Sequence, residues 1–201
     1  MRKNLEELKE LLIVVDMVNG FVTEGKMADP YIKHIIPEQI RIIKNFLDRN
    51  EGIAFIKDNH ETGCREFKRY PEHCVIGTRE VELVDELKPF EKEALVYTKN
   101  STSTMFAPSF INDIKKMYNL KEIVITGCCT DICVMNLAIP LQNYFDENDK
   151  DIKIIIPKNA VETYDSPLHN RNEYNEMAFK FLEQAGTSLV KKYGRRINYG
   201  K

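Results

Sequence analysis

The chain has 201 residues, 43% of them hydrophobic and 30% charged, with a formal net charge of −2. That length suits one domain, spanning 1–201, with a sizeable core. The near-neutral balance speaks against a broad nucleic-acid surface, and no run approaches the roughly 20 apolar residues of a membrane span. The amino-terminal MRKNLEELKE is too charged to form the apolar centre of a signal peptide, so a cytoplasmic protein is expected. Five cysteines, an odd number without a secretion signal, argue against a disulfide framework, and no pair has Cys-x-x-Cys spacing. The basic stretch at 191–201, with Arg195 and Arg196, reads as a solvated end or a contact to another subunit. A homo-oligomer acting on a small molecule, with no nucleic-acid or membrane partner, is expected.

The predicted elements alternate strand and helix. Leu11 to Val15 is a continuous apolar run ending in Asp16, which suits a parallel strand buried on both faces. Pro37 to Asn50 carries Ile40, Ile43 and Leu47 at helical spacing, and Ile53 to Lys57 is the second strand. Leu95 to Thr98 is the third strand and Pro108 to Tyr118 the next helix. Glu122 to Thr126 is the fourth strand. Thr130 to about Tyr144 is a helix that Pro140, unable to donate to the turn before, is expected to kink. Ile152 to Ile156 is the fifth strand, Pro167 to Ala185 a long helix with Gly186 as its C-cap, and Ser188 to Val190 a short sixth. This order predicts an α/β three-layer sandwich: a mainly parallel sheet of five to six strands with helices on both faces.

Open sheets of this kind form sites at the carboxyl ends of their strands. Asp16 follows the first strand, Asp58 and His60 the second, Lys99 the third, and Gly127-Cys128-Cys129-Thr130-Asp131-Ile132-Cys133-Val134 the fourth. With Thr130 or Asp131 as N-cap, Cys133 stands in the first helical turn, where free N–H groups lower a thiol's pKa and favour an oxyanion. Cys128 and Cys129 read as ordinary buried cysteines. His34 and His169 lie at helix entrances, and no histidine follows a strand end near Cys133. Asp16 is therefore the expected base, and Lys99 the positive charge beside the thiolate. Asp58 and His60, two residues apart in extended chain, point to one side. His73 returns after a loop of twelve intervening residues, and the set suits Zn²⁺, Fe²⁺ or Mn²⁺. Cys64 and Cys74 flank the same loop but are weaker ligand candidates than these.

Several segments together resemble the nicotinamidases of the isochorismatase-like cysteine hydrolase superfamily. They are Val15 to Phe21, Asp58-Asn59-His60, Pro71 to Thr78, Lys99, and Gly127 to Val134, in the family's order, within residues 11 to 165. The resemblance implies a catalytic triad of Asp16, Lys99 and Cys133, and a divalent metal, zinc first, held by Asp58, His60, Glu66 and His73. It implies an oxyanion hole from the N–H groups of Cys129 and Cys133 beside a cis peptide between Cys128 and Cys129. It implies hydrolysis of nicotinamide to nicotinate and ammonia, a step of pyridine nucleotide salvage. Where many members carry tryptophan, Asn59 and Tyr70 stand here, and the chain has no tryptophan. Phe21 and Tyr70 are the expected walls for a flat ring. The alternatives are a related cysteine hydrolase acting on another heteroaromatic amide or a carbamoyl compound, and a non-catalytic ligand-binding or redox-sensing protein.

Overall fold

In the computed structural model residues 4–194 are described; Arg195, Arg196 and the rest of 195–201 lie outside the described residues. The first strand, β1 (Glu10–Val15), is buried along its whole length. Side chains alternate across a strand, so Leu11, Ile13 and Val15 enter one core and Leu12 and Val14 the other. After it come α1 (Asn19–Val22), α2 (Ile36–Asp48), β2 (Gly52–Asp58) and β3 (Leu95–Lys99). Then follow α3 (Phe110–Lys116), β4 (Glu122–Cys128), α4 (Met135–Glu147), β5 (Lys153–Pro157), β6 (Val161–Glu162), α5 (Arg171–Gln184) and β7 (Ser188–Val190).

The strand order is β3-β2-β1-β4-β5-β7, with β6 paired to β4, and every strand pairing is parallel. Seven strands form where five to six were expected. The addition is β6, whose two residues are too short to show a periodic pattern. Ile42, Ile43 and Phe46 of α2 pack on one face of the sheet. Phe110 of α3, Leu137, Leu141 and Phe145 of α4, and Phe179 and Leu182 of α5 pack on the other. The chain winds outward from β1 in one direction to β3 and from β4 in the other to β7. The switch point between β1 and β4 is where such sheets open a crevice at their carboxyl edge.

Local chemistry sets the element ends. Ser109 adopts φ 66°, outside helical space, so α3 starts at Phe110 rather than Pro108. Ser166 and His169 exchange backbone hydrogen bonds, and the Asn170 side chain caps the N–H of Glu173, so α5 starts at Arg171 rather than Pro167. It closes as the sequence indicates. Gly186 takes φ 95°, with its N–H on Glu183 and that of Thr187 on Leu182, a Schellman ending. Among the described residues no helix is long and apolar enough to cross a membrane.

One glycine is required by the sheet itself. Gly127, at φ 116°, lies beside Val15, and a Cβ there would fall 2.0 Å from the Val15 carbonyl oxygen. Gly127→Ala is therefore expected to lower unfolding stability by well over about 1 kcal/mol. An unchanged urea midpoint would show that β1 and β4 are less tightly apposed at this edge than their register indicates.

Candidate active site

The four predicted strand ends meet. Asp58 and Lys99 are register partners at the ends of β2 and β3, and Asp16 directly follows Val15, which pairs with Gly127 of β4. Lys99 is 3% exposed. Its Nζ lies 2.8 Å from Asp16 Oδ2, contacts Asp58 Oδ1, and stands 3.6 Å from Cys133 Sγ. Asp16, Asp58 and Cys133 offer three ligand atoms within 4.8 Å of one another, but the Lys99 ammonium contacts all three. That centre holds an amine rather than a metal.

Burial raises the Asp16 carboxyl to about 6 against the pull of Lys99, with Asp58 adding to the rise. Asp58 is driven the other way. Burial would raise it, but Lys99 and the two imidazoles hold it far below the usual carboxylate range. Lys99 itself is raised well above the ordinary lysine value, since Asp16 and Asp58 outweigh its desolvation. The thiol corrects an expectation. Burial pushes Cys133 well above the ordinary cysteine range; Lys99 offsets part of this, and Asp16 and Asp58 add to it. Partial charges at a helix start do not outweigh full desolvation beside two carboxylates.

The turn that carries Cys133 also differs from expectation. Thr130–Val134 winds as a π turn with Cys129 at its cap position, and no side chain caps it. The Thr130 hydroxyl is buried without a partner, and Asp131 bonds elsewhere. The Cys129 carbonyl accepts from the N–H groups of Ile132 and Val134. The Cys128–Cys129 peptide is cis. Short π segments of this kind gather at functional sites.

The second cluster lies alongside. His60 Nε2 and His73 Nε2 stand 3.5 and 3.6 Å from Asp58 Oδ2. The 73–75 segment is held against His60 by the bonds His60 N–H to Cys74 O and Ile76 N–H to His60 O. His60 Nδ1 meets Asn100 Oδ1 at 2.8 Å, and His73 Nδ1 meets the Pro71 carbonyl at 2.7 Å. Both rings are thus tied on the far nitrogen and turn Nε2 inward, the arrangement typical of metal-ligating histidines. His60 Nε2 is buried with no hydrogen-bond partner. Burial opposes protonation of His60, yet Asp58 and Asn100 raise it to about 9, so the cluster draws in positive charge. The donors fit a divalent cation. Ligand atoms around a tetrahedral zinc lie roughly 3.3–3.6 Å apart for bonds of about 2.0–2.2 Å.

Glu66 is buried in the same pocket, but its carboxylate lies outside the Asp58–His60–His73 cluster. Cys64 Sγ faces the tied Nδ1 of His60, not the inward nitrogen, and burial raises the Cys74 thiol far above its ordinary range. The pocket is lined by Phe21, Met27, Glu66, Tyr70, Thr102, Cys129 and Ile132 together with Asp58, His73 and Cys133. Phe21 and Tyr70 are among these lining residues. Phe67, which packs on both imidazoles at 5.3 and 5.5 Å, and Asn100 were not singled out from the sequence. An asparagine directly after Lys99 was the available signal.

The loop after Lys99 is pinned through Pro140. Proline has no N–H for the carbonyl four residues back, here Asn136, and the Ser103 hydroxyl donates to that oxygen at 2.8 Å. Asn136 in turn reaches Thr102 in the pocket wall.

An all-parallel sheet bearing acid, amine and thiol at its switch point, beside a histidine–carboxylate cluster, defines a doubly wound α/β protein with one composite site. Residues 10–190 match the isochorismatase domain, and the chain belongs to that family of hydrolases. It is 31% identical over 175 residues to Nicotinamidase 1 of Arabidopsis thaliana, covering 79% of this chain and 71% of that protein. Its structure is similar to N-carbamoylsarcosine amidase from Thermoplasma acidophilum, with a TM-score of 0.75 at 22% identity, covering 95% of this chain and 99% of the other. It is also similar to the pyrazinamidase of Pyrococcus horikoshii in complex with zinc, with a TM-score of 0.71 at 23% identity, covering 90% and 98%. These two structures share the fold, and the fold alone does not choose a substrate.

Two outcomes follow from the geometry. Lys99→Met leaves two buried carboxylates without their cation and is expected to cost about 3–5 kcal/mol near neutral pH. Stripped of Lys99, Asp16 keeps the burial and the Asp58 charge that hold its folded pKa above the unfolded one, so the variant loses stability as pH rises through it. Urea melts should therefore show a larger deficit at about pH 8 than at about pH 5; a pH-independent deficit would contradict the charge argument. Ser103→Ala should cost about 0.5–1.5 kcal/mol, and clearly less in a Pro140→Ala background, where the restored N–H serves Asn136. Strict additivity in that double-mutant cycle would show that Ser103 does not stand in for the missing helical bond.

Proposed function

We propose that this protein is an amidohydrolase that cleaves nicotinamide to nicotinate and ammonia through a thioester on Cys133. The observation that carries the reading is the contact of one buried ammonium, Lys99, with Asp16, Asp58 and Cys133 beside the inward-facing imidazoles. The likeness to Nicotinamidase 1 over most of both chains supports the substrate.

Asp16, raised to about 6, is ionised at neutral pH and still basic enough to take a proton. It takes the Cys133 proton as the sulfur attacks the carboxamide carbon. The neutral resting thiol means that proton transfer accompanies attack. Lys99 keeps positive charge beside the sulfur as negative charge develops, and the N–H groups of Cys129 and Cys133 receive the oxyanion. The C–N bond breaks, and ammonia leaves with the proton returned by Asp16. Water then attacks the thioester, Asp16 again takes a proton, and nicotinate departs with the thiol restored. Phe21 and Tyr70 flank the aromatic ring. Asp58, His60 and His73, with Glu66 nearby, would hold a divalent metal, zinc by preference, which supplies a Lewis-acid point for the ring nitrogen. In this reading the protein works in the cytoplasm, returning the pyridine ring to nucleotide synthesis.

Purified protein with one equivalent of Zn²⁺ should release ammonia from nicotinamide, and Cys133→Ala should lower that rate by about three orders of magnitude or more. His60→Ala should lose bound zinc in elemental analysis as well as activity. Turnover by Cys133→Ala within tenfold of the parent sinks the nucleophile assignment, and an inert zinc-loaded parent sinks the substrate.

A further inference from the structure

One buried histidine takes no part in this scheme. His169 is 6% exposed and lies outside both clusters and the pocket lining. Its Nε2 bonds Asp131 Oδ2 at 2.9 Å and its Nδ1 meets the Tyr164 carbonyl at 3.0 Å. Its ring stacks on Tyr164 and packs at a tilt against Tyr174, with centroids 3.9 and 3.7 Å away. The other oxygen of Asp131 accepts the Thr163 hydroxyl at 2.5 Å. Both carboxylate oxygens are thereby held by residues around β6 and the start of α5.

Asp131 sits two residues before Cys133, inside the turn whose N–H groups would receive the oxyanion. An aspartate in that place has a strong alternative. As an N-cap its carboxylate accepts the N–H two or three residues on, which here belong to Cys133 and Val134. Capping would wind the turn toward an ordinary helix start, occupy the Cys133 N–H and set a negative charge beside the developing oxyanion. None of this happens: Cys129, not Asp131, stands at the cap position, and both Asp131 oxygens are engaged by Thr163 and His169.

We propose that His169 and Thr163 are positioning residues that hold the Asp131 carboxylate away from the Cys133 N–H and so keep the oxyanion site open. This rests on the cysteine-hydrolase reading above, but not on nicotinamide as the substrate. The geometry separates two roles that a simple brace would merge. The carboxylate is harmful when free, so removing it should repair the loss of its holders.

The test compares zinc-loaded parent, His169→Ala, His169→Gln, Asp131→Ala and His169→Ala/Asp131→Ala. Two rates are read: nicotinamide turnover, and the p-nitrophenol burst from p-nitrophenyl acetate that disappears in Cys133→Ala. His169→Ala should lower kcat and the burst rate at least tenfold, with KM, zinc content and thermal midpoint little changed. His169→Gln, which keeps a donor for Asp131, should recover most of the loss, and the double variant should be several-fold faster than His169→Ala. A folded His169→Ala within threefold of the parent, or a double variant no faster than it, overturns the proposal. Should His169→Ala not fold, Thr163→Val and Thr163→Val/Asp131→Ala carry the same comparison. A parent with the burst but no nicotinamide turnover overturns the substrate alone, and the burst then decides this proposal. A parent with neither overturns the cysteine-hydrolase reading and this inference with it.

Discussion

The site depends on the burial of one ammonium. Lys99 is removed from water at the end of β3, at a desolvation cost of several kcal/mol for such an ion. It is kept charged by Asp16 and Asp58 on either side. That arrangement needs three strand ends in fixed register: Lys99 opposite Asp58, and Asp16 one residue beyond the β1 pairing with both β2 and β4. The sheet is thus not a neutral platform. Its close approach at Gly127 and Val15, and its fully covered faces, bring like charges together and leave the lysine as the counter-charge that lets them stay.

Lys99 also joins the two halves of the site. In the proposed reaction Asp16 and Cys133 serve proton transfer and attack, while Asp58 lies with the imidazoles. One amine touches all of them. Two carboxylates and one ammonium leave a buried surplus of one negative charge. Burial opposes a proton on His60, but Asp58, one of these carboxylates, together with Asn100 raises it to about 9. A divalent cation would satisfy the surplus in place of that proton, since metal and proton compete for one nitrogen. The charge of the imidazole cluster and the ionisation of Asp16 are therefore linked through Asp58 and Lys99.

Much of this was legible in the sequence because buried parallel strands are apolar runs, and a polar residue at the end of such a run stands out. Asp16, Asp58 and Lys99 were found in this way, and Cys133 through the turn after β4. The elements that escaped are those whose signal is not periodic. β6 has two residues. Asn100 looks like any loop residue until His60 turns its ring toward it. Ser103 and Pro140 are far apart in the chain, and their complementarity, a hydroxyl for a missing N–H, exists only when the loop folds onto α4. His169 was dismissed from catalysis because no strand end brings it near Cys133. It reaches the turn through Asp131, 38 residues earlier in the chain. The thiol expectation failed for a different reason. Sequence places a cysteine in the turn after β4, but does not show that it will be buried beside two carboxylates.

That reversal bears on the proposed chemistry. A cysteine with a lowered pKa would rest as a thiolate and spend its charge on whatever cation lay near. Here the thiol is neutral at rest, and the base beside it is a carboxylate held near 6. In the proposed reaction charge then appears on sulfur only as the carbonyl is engaged, and passes to the oxygen that the turn would receive. A reaction that runs in this way depends on the backbone of Thr130–Val134 being open when the charge arrives. The constraint on the turn and the neutrality of the thiol are two sides of one arrangement, because a carboxylate at position 131 that closed the turn would also deepen the field that keeps the thiol protonated.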